Sequence, residues 1–245
     1  MKKETHIYGI RAIMEAIHAN STIDKVFIQK NTQGELMSGL IKLLKQKNIP
    51  FSYVPVEKLN KLYRGNHQGA IASISPVTFL ELEALVEQAF AGSETPLFLI
   101  LDQLSDARNF GAIIRTASCT GVDGIIIQKH GAAPVNADTV KTSAGAVFQV
   151  PICKVDHIKD AVFYLQSSGV KVVAATEKAS QTFFELDLKP AIALIMGSED
   201  RGINPSVLKT VDETAKLPMQ GSIASLNVSV ACGAMLFEVV RQRIG

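Results

Sequence analysis

With 245 residues and an apolar fraction of 47%, the chain is too long for one minimal domain, sufficient for two small ones, and too apolar for a disordered polymer. The longest apolar runs, 97–101 and 191–196, are strand-length, far short of the roughly 20 residues of a membrane span; Met1-Lys2-Lys3-Glu4 leads into no signal-peptide core, so the expected location is the cytoplasm. The net charge of +2 does not announce a nucleic-acid partner, yet residues 1–78 carry eleven Lys and Arg against five Asp and Glu, residues 79–95 four acids and no base, and residues 96–245 fourteen of each.

In chain order, residues 10–19 read as a helix with apolar Ile10, Ile13, Met14 and Ile17. Residues 26–28 form a short strand, 36–47 an amphipathic helix, and 51–54 and 70–74 further strands. This predicts a small α/β domain over 1–78. Its basic excess fits a surface that meets phosphates, and equally a solvated helix face bearing Lys42, Lys45 and Lys47. Residues 79–95 read as a linker: a short acidic helix over 79–90, then turn residues Ala91 to Pro96. From 97 onward strands alternate with helices: strands at 97–101, 124–128, 147–152, 170–174, 191–196 and 214–217, helices at 109–120, 158–167, 205–209 and 226–241. Near-continuous apolar strands alternating with helices predict a parallel sheet covered on both faces. Ligands of such sheets sit beyond the carboxyl ends of the strands. Cys119, Cys153 and Cys232 are scattered without metal-type spacing and read as buried free thiols in a reducing compartment.

Three post-strand segments carry candidate chemistry. After strand 97–101 neither a Gly-x-Gly-x-x-Gly fingerprint nor a phosphate loop appears, which argues against a nicotinamide or flavin enzyme. The segment instead contains Asn109-Phe110-Gly111-Ala112-Ile113-Ile114-Arg115-Thr116-Ala117. Arg115, in an otherwise apolar or small helix, reads as a contact to a phosphate or reacting hydroxyl, or else as an arginine facing solvent or paired with an acid. Asn109 reads as a ligand contact or a helix N-cap. The second segment, Met196-Gly197-Ser198-Glu199-Asp200-Arg201-Gly202, has glycines that let backbone approach a ligand. Its Glu199 could accept from a ligand hydroxyl or from Arg115, and a tight turn with exposed charges is the plainer reading. Two adjacent carboxylates without His or Cys are weak grounds for a metal site, and none is expected. The third, Leu217-Pro218-Met219-Gln220-Gly221-Ser222-Ile223-Ala224-Ser225-Leu226-Asn227-Val228-Ser229, is a small-residue loop running into a helix. Ser225 and Asn227 read as caps of that helix, while the loop backbone and Leu226 could also cradle a purine-bearing cofactor.

Taken in order, these three segments resemble the three motifs of the SpoU family of RNA ribose methyltransferases, within the SPOUT class, over essentially all of 97–243. Ile7-Tyr8-Gly9-Ile10-Arg11-Ala12 and His67-Gln68-Gly69-Ala70 resemble that family's substrate-binding domain, itself similar to an RNA-binding ribosomal protein fold. This resemblance points to the subgroup that methylates a guanosine of large-subunit ribosomal RNA. It implies a catalytic domain over 96–245 knotted as a deep trefoil near its C-terminus, a topology that periodicity does not reveal and the general rule against knots points away from. It implies S-adenosylmethionine held by Gly197, Leu217 and Leu226, with Gly202, Met219 and Ser225 completing the pocket. Asn109, Arg115, Glu199, Ser225 and Asn227 would face the target nucleotide. A homodimer is implied too, with helix 226–241 and its Met235, Leu236 and Val239 in the interface, or else packed within the subunit. Lys141–Ala146 resembles a family segment of small residues, read as packing or RNA approach. The competing readings are the same reaction on transfer RNA, a non-catalytic RNA-binding or ribosome-assembly protein, and a nucleotide-dependent oxidoreductase.

Overall fold

The structure, a computed structural model, describes residues 6–19, 21–221 and 225–244. The chain divides into two compact units, one running through Thr78 together with Val135–Ala137, the other comprising Phe79–Pro134 and Asp138 onward.

The first unit contains β1 (His6–Tyr8), α1 (Ile10–His18), β2 (Ile23–Gln29), α2 (Glu35–Gln46), β3 (Phe51–Val54), α3 (Val56–Leu62) and β4 (Ala70–Ile74). Its sheet has the order β1-β4-β2-β3, antiparallel except for the β2–β3 pair. Along β2, Asp24, Val26 and Ile28 are buried while Lys25, Phe27 and Gln29 are half-buried, the two-residue period of a strand with unlike faces. Val26 and Ile28 pack with Ile13 and Ile17 of α1 and Leu40 and Leu44 of α2. The opposite face carries Ile71, closed over by Leu59 of α3 and Val54. Gly9, at φ 91°, takes the chain straight from β1 into α1, a conformation that favours glycine.

The second unit contains α4 (Leu82–Gly92), β5 (Leu97–Leu101), α5 (Ala107–Thr120), β6 (Gly124–Gln128), α6 (Ala137–Thr142), β7 (Ile152–Val155), α7 (Ile158–Ser167), β8 (Lys171–Ala175), β9 (Ile192–Met196), α8 (Pro205–Leu208), β10 (Glu213–Ala215) and α9 (Val228–Ile244). All six strands are parallel, in the order β10-β8-β9-β5-β6-β7. β5 and β9, adjacent at the centre, are buried at every position, as a sheet covered on both faces requires. One face packs Phe98, Ile126, Val172 and Ile195 against Leu85 and Ala89 of α4, Ile158 and Leu165 of α7 and Val207 of α8. α5 and α9 pack against each other, each burying an apolar stripe.

Several expectations are corrected. The strand expected at 147–152 is instead a turn of 3-10 helix at Ala146–Phe148 followed by β7. Gly145 at φ 85° turns the chain there, and Pro151, which cannot donate to a ladder, precedes the strand. The stretch 79–95 contains α4, whose Leu85, Val86 and Ala89 lie in the second unit's core. α9 begins at Val228 rather than 226 and runs on to Ile244. Its Met235, Leu236 and Val239 are buried within the subunit. Of the three cysteines, Cys153 and Cys232 are buried, and burial pushes each thiol up to about 12; Cys119 is exposed. Among the described residues no helix is long and apolar enough to cross a membrane.

Candidate active site

The sheet order reverses direction between β5 and β9: from β5 the chain moves outward through β6 and β7, while β9 and β8 lie on the other side. In an open parallel sheet the crevice beyond the carboxyl ends at such a point is where ligands bind. The loops after β5 and β9 meet there. Asp102, the first residue past β5, is fully buried, and its Oδ2 accepts from the Asn204 amide at 2.6 Å. Its Oδ1 is buried without a partner among the described residues. Burial raises the Asp102 carboxyl above its ordinary range, opposed by the Asn204 hydrogen bond. Gln103, at φ 61°, donates from Nε2 to the Gly202 carbonyl at 3.4 Å. These two residues bracket the loop 197–204.

Within that loop Ser198 and Gly202 exchange backbone hydrogen bonds of 3.2 and 2.9 Å. Gly197 lies so close that an ideal Cβ would stand 2.2 Å from the Gly202 carbonyl carbon and 2.4 Å from the Ile203 nitrogen. No side chain fits at 197 without moving backbone. The turn thereby projects Glu199 outward, where it is exposed.

Asp106 is the N-cap of α5, its Oδ1 accepting from the Arg108 and Asn109 amides at 2.9 and 2.7 Å. The capping alternative for Asn109 is thus overturned, and its side chain is released to the loop. Asn109 Nδ2 donates to Glu199 Oε1 at 3.1 Å, and Asn227 Nδ2 donates to Asn109 Oδ1 at 3.1 Å. Glu199 Oε1 also accepts from Asn227 Nδ2 and from the Val228 amide, the latter at 3.2 Å. Asn227 Oδ1 takes the Ser229 amide at 3.0 Å and its hydroxyl at 2.5 Å, as an N-cap does. A carboxylate at the open N–H groups of α9 is electrostatically favoured. The three segments singled out in the sequence therefore converge on one cluster: Asn109, Glu199 and Asn227.

The remaining candidates stand apart from it. Arg115 lies on α5 six residues beyond Asn109, about 9 Å further along the axis. It is exposed and has no hydrogen bond or ion pair among the described residues, so Glu199 is not its partner. Ser225 is exposed and caps no helix among the described residues; the cap of α9 is Asn227. Met219 and Leu226 expose 39% and 41% of their surface, and Leu217 and Gly202 are half-buried. Ser222, Ile223 and Ala224 lie outside the described residues. Gly111 serves packing: an ideal Cβ there would stand 1.8 Å from Thr142 Oγ1 and 3.0 Å from the Thr139 carbonyl oxygen. The segment 141–146 thus lies against α5. Sequence reasoning missed Asp102, Gln103, Asn204 and Ser229. Asp102 carried one signal, a carboxylate directly abutting an apolar strand.

A cofactor pocket built from the loops after β9 and β10 fits these residues: Glu199 ties the two loops together, Met219 and Leu226 offer exposed apolar surface, and the backbone at 197 is stripped of side chain.

The sequence pattern of the SpoU rRNA Methylase family matches residues 96–237, and that of the substrate-binding domain of RNA 2'-O ribose methyltransferases matches residues 6–80. A TrmH family tRNA/rRNA methyltransferase of Bacillus subtilis is 34% identical over 242 residues, covering 99% of this chain and 97% of the relative. The solved SpoU methyltransferase AviRb of Streptomyces viridochromogenes, in complex with AdoMet, superposes with a TM-score of 0.62 at 24% identity, over 98% of this chain and 90% of that one. A TrmH/SpoU tRNA-modifying enzyme of A. aeolicus matches 66% of this chain and 84% of its own, with a TM-score of 0.57 and 30% identity. The chain belongs to the SpoU rRNA methylase family.

Proposed function

We propose that the protein transfers a methyl group from S-adenosylmethionine to a ribose 2′-hydroxyl of RNA, with a guanosine of large-subunit ribosomal RNA as the target. The observation that carries the reading is the Asn109–Glu199–Asn227 cluster, which joins all three family segments at the sheet's switch point. The solved neighbour AviRb holds AdoMet, and the loops after β9 and β10 fit that group. Ribosomal rather than transfer RNA is favoured by the substrate-binding domain matched over 6–80, whereas the tRNA-modifying neighbour matches only 66% of the chain.

When bound, S-adenosylmethionine supplies an electrophilic methyl on a sulfonium sulfur. What falls to the chain is alignment and charge. Gly197, Gly202, Leu217, Met219, Ser225 and Leu226 would hold the cofactor. Three N–H donors occupy Glu199 Oε1, so that carboxylate is fixed and its other oxygen accepts from the target ribose. Asn109 and Asn227 hold Glu199 in place. Arg115, whose side chain has no partner among the described residues, clamps the phosphate beside the target and stabilises the developing alkoxide, while the hydroxyl proton leaves to phosphate or water. A guanidinium does not deprotonate in proteins, which makes it a clamp rather than a base. A homodimer is supported by Val230, Phe237 and Ile244, exposed apolar residues spaced by seven along α9, hence on one side of the helix.

Arg115→Ala tests this assignment. It is expected to leave calorimetric affinity for S-adenosylmethionine unchanged and to lower methyl transfer by about a hundredfold or more, the cost of losing one donor aimed at developing charge. Near-normal turnover removes Arg115 from the mechanism.

A further inference from the structure

The first unit holds an open cavity of about 450 Å³ lined by Gln29, Thr32 and the loop 65–69. None of its lining residues carries a formal charge. His67 is buried at the back and fixed in one tautomer: its Nδ1 accepts from the Gly69 amide at 3.0 Å, so the proton sits on Nε2, which donates to Asn60 Oδ1 at 3.0 Å. The histidine is thus spent on shaping the loop. Gly69, at φ 77°, packs against Thr32, whose Oγ1 is buried without a partner among the described residues.

The amides on the rim have a defined polarity. Asn66 Oδ1 accepts from the Gln68 amide at 3.2 Å, and Gln68 Oε1 accepts from the Ile10 amide at 3.2 Å. With each oxygen turned to a backbone N–H group, the amides are oriented with their NH₂ groups free to donate, and each oxygen keeps one further lone pair. Gln29 has no side-chain partner among the described residues and contributes a free acceptor and donor. Beside the cavity stands an aromatic pair. Tyr63, partly exposed, stacks on Tyr8 with centroids 3.8 Å apart at 16°. An ideal Cβ on Gly65 would lie 2.5 Å from the Tyr63 ring, so a cavity-lining residue touches that ring directly. The next residue, Arg64, is exposed.

We propose that this cavity, resting on the reading of the chain as an RNA methyltransferase, takes one unstacked nucleobase of the substrate RNA. Stacking on an aromatic face and hydrogen bonding along base edges is how proteins read single-stranded RNA. Two fixed NH₂ groups suit a base edge carrying two acceptors, and the neutrality of the lining suits a base over a phosphate. The volume admits a base and excludes a duplex. Arg64 beside it supplies the electrostatic hold on the adjoining backbone.

The test uses the full-length protein and short fluorescent homopolymer RNAs of about twelve nucleotides, read by anisotropy across a salt series. Gln29→Ala and Asn66→Ala, both at or near the surface, are expected to weaken binding about fivefold each, and Tyr63→Ala about tenfold. The loss should differ between homopolymers, and the slope of log affinity against log salt should stay that of the unaltered protein. Affinities unchanged in all three variants overturn the proposal. Losses that are equal for every homopolymer also overturn it, because the cavity then holds backbone rather than a base. Circular dichroism and urea unfolding, unaltered in each variant, show that folding is intact. The assay needs no methyl transfer: base-dependent losses without any transfer would sink the enzymatic reading and keep the cavity. Normal transfer with an unchanged KM for RNA in the variants would do the reverse.

Discussion

Asp102 shows how one residue organises the crevice. Its carboxylate is the acceptor that holds the Asn204 amide, and through it the end of the loop bearing Glu199. Because burial raises its carboxyl above the ordinary value of 3.8, the ionised form is the one the fold disfavours. Stability from this group is therefore fully present below pH 3.8 and lost as pH rises through the raised value. Asp102→Asn keeps an acceptor for Asn204 and removes the titration. Its unfolding free energy is expected to lose that decline with pH. Asp102→Ala strands the amide and costs about 1–3 kcal/mol. Urea unfolding across a pH series checks both, and indistinguishable Ala and Asn variants would contradict the role. At this scale the sequence displayed Asn109, Glu199 and Asn227 as candidates, because each is a polar residue in a segment that follows an apolar strand. Arg115 reads equally as a phosphate or hydroxyl contact, a solvent-facing arginine or one paired with an acid, because side-chain direction depends on helical phase, and residue 115 faces outward. Asp102 and Gln103 were not singled out, since the bond from a carboxylate to an amide 102 residues away leaves no local trace.

α9 is fixed at both ends. Asn227 caps its start, and at its other end Arg243 donates to the carbonyls of Leu188, Thr95 and Pro190 at 3.2, 2.7 and 2.6 Å. Gln242 adds bonds with the Leu188 amide and the Leu186 carbonyl, each 3.0 Å. Arg241 instead forms a bidentate pair with Glu238 on its own helix, with most of its side chain in water. Arg243→Ala is expected to cost about 2 kcal/mol, and Arg241→Ala clearly less, as exposed pairs do. Equal losses in urea unfolding would contradict the latch. Long buried elements such as β5 and β9 were legible in the sequence because apolar runs of five between turns have few alternatives. The short α3, with Leu59 its one fully buried side chain, and the turn at Ala146–Phe148 were not, because a single turn or two shows no period.

For the whole molecule, alternation of strands and helices led to a parallel sheet, but not to its order. β5 pairs with β9 across more than ninety intervening residues, and only that pairing creates the switch point where the cluster sits. The charge asymmetry between residues 1–78 and the rest follows the division of the chain into two units, whose boundary falls at Thr78. The measurement that tests this most directly is transfer of a tritiated methyl from S-adenosylmethionine by the full chain to RNA from cells lacking it, followed by digestion to nucleosides. The account predicts label in a 2′-O-methylated guanosine from large-subunit ribosomal RNA. Label in transfer RNA would redirect the substrate, and label on a base, or none on any ribose with ribosomal precursors also tried, would contradict the account.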